Sequence, residues 1–578
     1  MFCKKTNKLR SWRVISLFIL LVSLVSGSLV LGFYSNKLKI NPMYSLMFKV
    51  ERKLGKLFGE QSLTEKLVKS IKTTFVELQG RVFEIPNNDY ANGGALTEWG
   101  EDLVVMTYSG NIYFLDEITG LMKTKIVPPN NGLQDYMQIA KSEKYSKFLH
   151  KFDKFRFNDI QYINTNTVHG ISISYTFFDL THECYTNRVS WLAIDRDIKS
   201  IQEVVASPLD WDIIFDSMPC IKLNPNWTAL DGMMAGGRVA FSAPNTLFLG
   251  SGDYHLDGIH TLDVGIQSND TSYGKVIAID ILTRESKIVS KGHRNLQGLT
   301  FDKKGRLWAT EHGVRGGDEL NLIKQDSNYG WPLESLGTLY SGQPIPNQKY
   351  YGRHKLNMPP VFAWLPSAGI SSLTSISGID ESWDGDLLAG SLSSAEFGQS
   401  LFHIRVRDER VVFVERIKLN KRIRYVTQYG HKKIAVWLDG NELVIFDVLR
   451  YRDPLVKLKE TLDVKYGAVQ TKRILGVLRS CNECHSFDQF NHKGAPSLNA
   501  VVGRKIAATS FANYSSSLQS LSGSWSKKKL HLFLKNPDKF APGTMMPKTG
   551  LDNDELLNLV VDALSNINTV DQKSLSYN

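Results

Sequence analysis

Cys481-Asn482-Glu483-Cys484-His485 is the segment whose residue types and spacing most directly specify chemistry. Two thiols three positions apart, followed at once by an imidazole, suit thioether bonds to both vinyl groups of one haem, with His485 as an axial ligand of its iron. A zinc half-site and a redox-active thiol pair are the other uses of such a spacing, and neither accounts for the adjacent histidine. Of the remaining cysteines, Cys184 and Cys220 fall in a region read below as exported, where they form either a disulfide or two buried thiols. Cys3 has no chemical context of its own.

Elements able to position that motif follow from the texture around it. After Tyr451 the apolar spacing turns helical, with Lys472–Leu478, Lys527–Leu534 and Asp554–Leu564 as candidate helices, so residues 452–578 are expected to form a small all-α domain behind a linker. Ala495-Pro496-Ser497-Leu498, Gly503-Arg504-Lys505, Trp525 and Pro542-Gly543-Thr544-Met545-Met546 follow the cysteines in an order that closely resembles class I cytochrome c. The resemblance implies Met546 as the distal iron ligand, with Met545 as its nearest competitor, and the Pro496 carbonyl as hydrogen-bond acceptor for His485. Histidine and methionine ligation would leave no open position on the iron, as in an electron carrier.

Residues 81–451 read differently, as short β-branched and aromatic runs punctuated by Gly, Asn and Asp. One theme of paired apolar strands recurs: 103–106 with 113–116, 171–174 with 191–195, 246–249 with 276–280, 306–309 with 320–323, 386–389 with 401–404, and 434–437 with 443–447. Six such units predict a six-bladed β-propeller, with a pair of β-sandwiches as the alternative.

Within this region, Gly292-His293-Arg294-Asn295-Leu296-Gln297-Gly298-Leu299, Glu311-His312-Gly313-Val314-Arg315-Gly316-Gly317-Asp318-Glu319 and Asn328-Tyr329-Gly330-Trp331-Pro332 resemble the glucose/sorbosone dehydrogenase family, sugar dehydrogenases dependent on pyrroloquinoline quinone (PQQ). Gly236-Gly237-Arg238 to Gly252-Asp253, and Arg422-Ile423-Arg424, extend the likeness over residues 160–450. It implies Arg294, Arg422 and Arg424 as clamps for the cofactor's carboxylates, with Asn295 and His312 as further contacts. The carbonyls of Gly313 and Val314 would hold one calcium ion, and Glu319 and Tyr329 a second. Two departures touch the chemistry: the family's general-base histidine, four residues before the Gly-Gly-Arg arginine, is Met234 here, and a thioether takes no proton, while the family's later-blade lysine near the quinone has no counterpart in Gly390-Ser391-Leu392-Ser393-Ser394. Asp253 and His255 stand nearby in sequence as candidate replacements.

Charge and hydropathy patterning place the whole. Residues 1–81 hold 15 Lys and Arg against 4 Asp and Glu, which accounts for the full net charge of +11 and points to a membrane surface rather than to nucleic acid. The 20 residues Val14–Phe33 carry no charge and follow Lys4, Lys5, Lys8, Arg10 and Arg13. They predict a single inner-membrane helix after a cytoplasmic tail (1–13), with a cleaved signal as the alternative and the bulk of the chain in the periplasm either way. Residues 34–80, basic and helically spaced from Met47 to Ile71, are expected to be a juxtamembrane helix or linker. Two functions follow from these readings. One is a membrane-anchored oxidoreductase that passes electrons from a sugar or polyol, through PQQ and one covalent haem, to a terminal oxidase or another cytochrome. The other is a cytochrome whose propeller only binds a ligand or partner.

Overall fold

The computed structural model describes residues 70–567, apart from 87–92, 143, 146–151, 224–231, 261–264, 347, 394–396, 431, 451–453 and 488–493. The expected anchor at 14–33 and most of the juxtamembrane segment lie outside the described residues. Among the described residues no helix is long and apolar enough to cross a membrane. The chain divides into two compact units, Met1–Arg450 and Tyr451–Asn578.

Near-continuous apolar runs in the inner strands of the first unit bury both faces of six largely antiparallel sheets. Blade 1 runs through strands Gly94–Trp99, Asp102–Thr107, Ile112–Asp116 and Gly120–Lys123. Blade 2 begins with Phe157–Asn164 and blade 3 with Gly236–Ser242. Blades 4, 5 and 6 begin with Leu296–Phe301, Ile370–Ser375 and Ile423–Tyr429. Each first strand packs against the first strand of the next blade, and that of blade 6 against that of blade 1, so the ring closes as a six-bladed propeller. All six strand pairs expected from the sequence are adjacent antiparallel partners, for example Val276–Asp280 on Thr246–Leu249.

Blade 6 departs from the sequence reading. Its outer strand is Val76–Glu84, paired from Val76↔Arg450 to Glu84↔Glu442, with Ile71–Lys72 beyond it. A linker ending at residue 80 therefore needs correction, because residues 71–80 belong to the sheet. Val76 and Leu78 are fully buried against Val448 and Phe446, and that burial outweighs the helical spacing carried in from upstream.

Five of the six first strands carry a register shift near their start, at Phe157/Asp159, Gly236/Arg238, Leu296/Gly298, Ile370/Leu373 and Ile423/Tyr425. A bulge bends its strand and re-aims a side chain, so the ring gains five irregular residues at one end of its first strands. Gly237 shows the constraint. Its φ is +91°, and a Cβ there would lie 2.5 Å from Asn158 Cβ, so only glycine fits.

The second unit packs Pro454–Cys484, Lys527–Lys535 and Asp554–Ser565 around Leu462, Ile474, Leu478, Trp525, Phe533 and Val560. Ser526 and Asn553 cap the latter two helices by accepting from the amides of Lys529 and Leu556. Gly467, at φ 75°, breaks the first into two helices. The expectation of an all-α unit needs one correction. An antiparallel bridge joins Lys505 to Ser524, flanked by Gly503 N–H donating to Trp525 O at 2.7 Å, so the unit is not purely helical. Short polar and glycine residues around 503 and 523 favour such a turn-back over a helix.

Candidate functional sites

The final turn of the Pro454–Cys484 helix presents both thiols, and the chain leaves it at His485, whose amide donates to Cys481 O at 2.9 Å. Cys481, Cys484 and His485 line one cavity with Pro496, Arg504, Tyr514, Trp525, Met545 and Met546. His485 Nδ1 lies 2.6 Å from the Pro496 carbonyl, which leaves Nε2 as the ring nitrogen free to ligate. Burial holds the imidazole below its ordinary pKa, in the neutral form that binds metal. Of the two methionines, Met545 is 84% exposed while Met546 packs on the core. Arg504 donates to the carbonyls of Asn499 (2.6 Å) and Ser497 (2.7 Å), so a guanidinium is fixed in the cavity wall. A mostly apolar cavity with two free thiols, an aimed imidazole and a thioether fits a haem in donor chemistry.

In the propeller, a cleft opens where the first strands begin. Its wall includes the bulge residues Gln297, Ser371 and Arg424, together with Tyr108, Lys154, Arg156, Met234, Asn295 and His312. Beneath it Arg238, almost fully buried, ties three blades together. It donates from Nη1 to Asn158 O and from Nε to Gln297 O, both at 2.9 Å, and lies 3.6 Å from Asp159, which accepts from Tyr425 Oη at 2.8 Å.

The residues implied for PQQ divide. Asn295, His312 and Arg424 reach the cleft. Arg422 lies outside its wall, 44% exposed and 3.8 Å from Asp439. Arg294 is buried elsewhere, donating to the carbonyls of His312 (3.2 Å) and Gly313 (2.5 Å). Met234, at φ 56°, stands in the wall. Its suggested replacements do not. Asp253 is fully buried, accepts from Trp331 Nε1 at 2.8 Å and from the His255 amide at 2.9 Å, and is pushed up to about 7 by burial and by neighbouring Asp257. His255 is buried against His260.

Sequence reading missed Tyr108, Lys154, Arg156, Gln297 and Ser371. Tyr108 follows the second strand of blade 1, and Lys154 and Arg156 precede blade 2, positions that no motif marks. Burial alone would raise the Tyr108 phenol, but Arg156, Arg238, Arg424 and Lys154 outweigh it and hold the group below its ordinary pKa. The Arg156 guanidinium lies 4.2 Å from the Tyr108 ring centre. His312 Nε2 is buried with no hydrogen-bond partner among the described residues, and burial holds this imidazole neutral. Three cations and an orphaned ring nitrogen around one cleft fit a planar polycarboxylate.

The implied calcium ligands gather less completely. Gly313, Glu319 and Tyr329 line a small void with Glu311 and Glu334, whereas Val314 does not. Three carboxylates fit a hard cation by donor type. Glu319 is bonded to Asn321 Nδ2 at 3.1 Å, Tyr329 Oη donates to Leu322 O at 2.5 Å, and the Gly313 carbonyl is already taken by Arg294. Cys184 and Cys220 are joined as a disulfide with a Cα–Cα distance of 5.7 Å.

Comparison with known proteins bears on both units. Residues 210–446 match the family described as Glucose / Sorbosone dehydrogenase. An uncharacterized protein of Synechocystis is 31% identical over 254 residues, which is 40% of this chain and 58% of that protein, so the chain spans little more than half of that relative's length. The soluble aldose sugar dehydrogenase of Escherichia coli, solved in its apo form, aligns with a TM-score of 0.50 at 20% identity, covering 64% of this chain and all of that one, a likeness of fold. A cytochrome c of Tetrahymena pyriformis is 40% identical over 75 residues, which is 13% of this chain and 67% of that protein.

Proposed function

We propose, for a chain whose β region has the propeller fold of the PQQ-type glucose/sorbosone dehydrogenases and one segment of which belongs to the cytochrome c family, that it is an exported quinohaem oxidoreductase. It would be held in the inner membrane by residues 14–33, with its bulk in the periplasm. A sugar or polyol is oxidised in the propeller cleft, and electrons leave through one covalent haem to another cytochrome or a terminal oxidase. Carrying both centres on one chain keeps the acceptor at a high effective concentration. The observation that carries this reading is the convergence of Cys481, Cys484, His485 and Met546 on one cavity, with the imidazole fixed by Pro496.

PQQ, when bound, would supply a two-electron acceptor to the cleft, and haem a one-electron carrier to the second unit. Arg424, Arg156 and Lys154 supply positive charge for carboxylates, and Asn295 and His312 supply neutral polar contacts. Met234 holds no proton. Tyr108 Oη, in the same wall and surrounded by guanidinium groups, is the group suited to accept the proton of the substrate hydroxyl.

Met234 in the cleft wall also favours a second reading, in which the propeller binds a ligand without oxidising it. Detergent-purified full-length protein, supplied with PQQ and calcium and then with aldoses and polyols, separates the two. Haem reduction on adding sugar supports the oxidoreductase; an oxidised spectrum in a sample that has bound PQQ supports the binding module. A denatured sample without a pyridine haemochrome would overturn both.

A further inference from the structure

The connection between the second and third strands of blade 3 runs from Gly252 to Gly274, and its first part carries His255, Asp257 and His260. A connection of this length in a compact domain, whose described residues form only a short helical turn at Gly265–Gln267, calls for something to hold it. His255 and Asp257 are buried, at 4% and 2% exposure, and the His260 side chain is 29% exposed. One ligand atom from each of the three lies within 4.8 Å of the others. The imidazoles of His255 and His260 lie 4.4 Å apart at 55°, and His260 Nδ1 is 2.8 Å from Asp257 Oδ2.

From this geometry we propose that His255, Asp257 and His260 form a zinc site, separate from the cleft and from the carboxylate-lined void. Two imidazoles and one carboxylate are borderline donors that select Zn²⁺ over Ca²⁺ or Mg²⁺, which take oxygen. Ligand atoms in a tetrahedral site stand somewhat over 3 Å apart at bond lengths near 2.0–2.1 Å, so closing the present arrangement needs only side-chain adjustment. The metal enters between Asp257 and His260, replacing their hydrogen bond, and a fourth position stays open to water. Backbone placement gives the site its consequence. Asp253 N–H donates to Arg294 O at 2.8 Å and Tyr254 N–H to Met234 O at 3.3 Å, so the loop that zinc would fix also holds Met234 in the cleft wall.

The test uses full-length protein in detergent, stripped with a chelator and dialysed against zinc with calcium in excess. Elemental analysis should find about one tightly held zinc per chain, and His255→Ala/His260→Ala should weaken binding by at least about 100-fold. Hydrogen exchange across residues 252–260 of the unaltered protein should slow when zinc is added. Wild-type protein that holds no zinc overturns the proposal. So does a double variant that holds as much as wild type, or exchange in 252–260 indifferent to zinc. If the double variant does not fold, the wild-type exchange decides alone.

Discussion

The two cavities were specified by the sequence in opposite ways. In the C-terminal unit the chemical groups are close in the chain: both thiols and the imidazole fall within five residues, and Pro496 and Met546 follow in the same unit. In the propeller the wall is delivered by all six blades and the loops that enter them, and residues that look adjacent as a motif separate. Arg294 and Asn295 are neighbours in sequence, yet Asn295 faces the cleft while Arg294 turns to the 312–313 backbone. A local motif survives folding as a unit; a motif spread over blades is only as informative as the irregularities that aim its side chains.

The contrast can be broken most severely at the C-terminal cavity. Cys481→Ala/Cys484→Ala should abolish covalent pigment altogether, read as loss of the haem stain on a denaturing gel, while zinc and PQQ uptake by the rest of the chain persist. Next in size, Tyr108→Phe in PQQ-loaded protein should lower kcat/KM about 10²–10⁴-fold and remove the rise with pH, the acid-side limb, that a general base gives its profile. Equal turnover would return the proton to some other group. Arg424→Ala should weaken PQQ binding about 10- to 100-fold, the range for losing one charged hydrogen bond, whereas Arg422→Ala, outside the wall, should change it little. Equal effects of the two arginines would mean that the cleft extends further than its present wall.

The smallest expected effect concerns Lys275, fully buried at the start of the third strand of blade 3 with Nζ donating to Ile266 O (2.7 Å) and Tyr273 O (2.8 Å). Burial, with a minor contribution from Lys291, pushes this ammonium down to about 7. An unfolded lysine titrates near 10.4, so between about pH 7 and 10 the unfolded chain binds the extra proton. Stability attributable to this group should therefore rise with pH across that window. Lys275→Met should flatten that slope in denaturant melts run at several pH values.

Much of the propeller was legible because strand pairs repeat as the near-continuous apolar runs that burial on both faces demands, and the two strands of each of the six pairs lie side by side. The closing strand was not. Val76–Glu84 reads as Val-Glu-Leu-Gln-Gly-Arg-Val-Phe-Glu, a fair alternation, but its partner lies at the far end of the propeller and no local turn announces the pairing. Bulges were equally silent, since an extra residue in a strand leaves no compositional trace, and they aim Gln297, Ser371 and Arg424 at the cleft. Lys154 and Arg156 are ordinary cations in sequence; only the approach of Tyr108 and Arg424 gives them a shared target. At the haem cavity the spacing itself carries the geometry, and the bridge at Lys505 and Ser524 was the part that helical periodicity concealed.

The pairing of Val76 with Arg450 also sets an order of events. As the chain is synthesised from its N-terminal end, residues 71–84 emerge before the other described propeller strands, and the strand that joins them to blade 6 is made after every other blade. That earliest hairpin must wait, its other edge unpaired, until the ring is otherwise complete. Loop closure over nearly the whole propeller is slow, and a waiting edge of Val, Leu and Phe is a template for wrong partners. The step most exposed to misassembly is thus the final one, and a chaperone that shields the first strands made would act there.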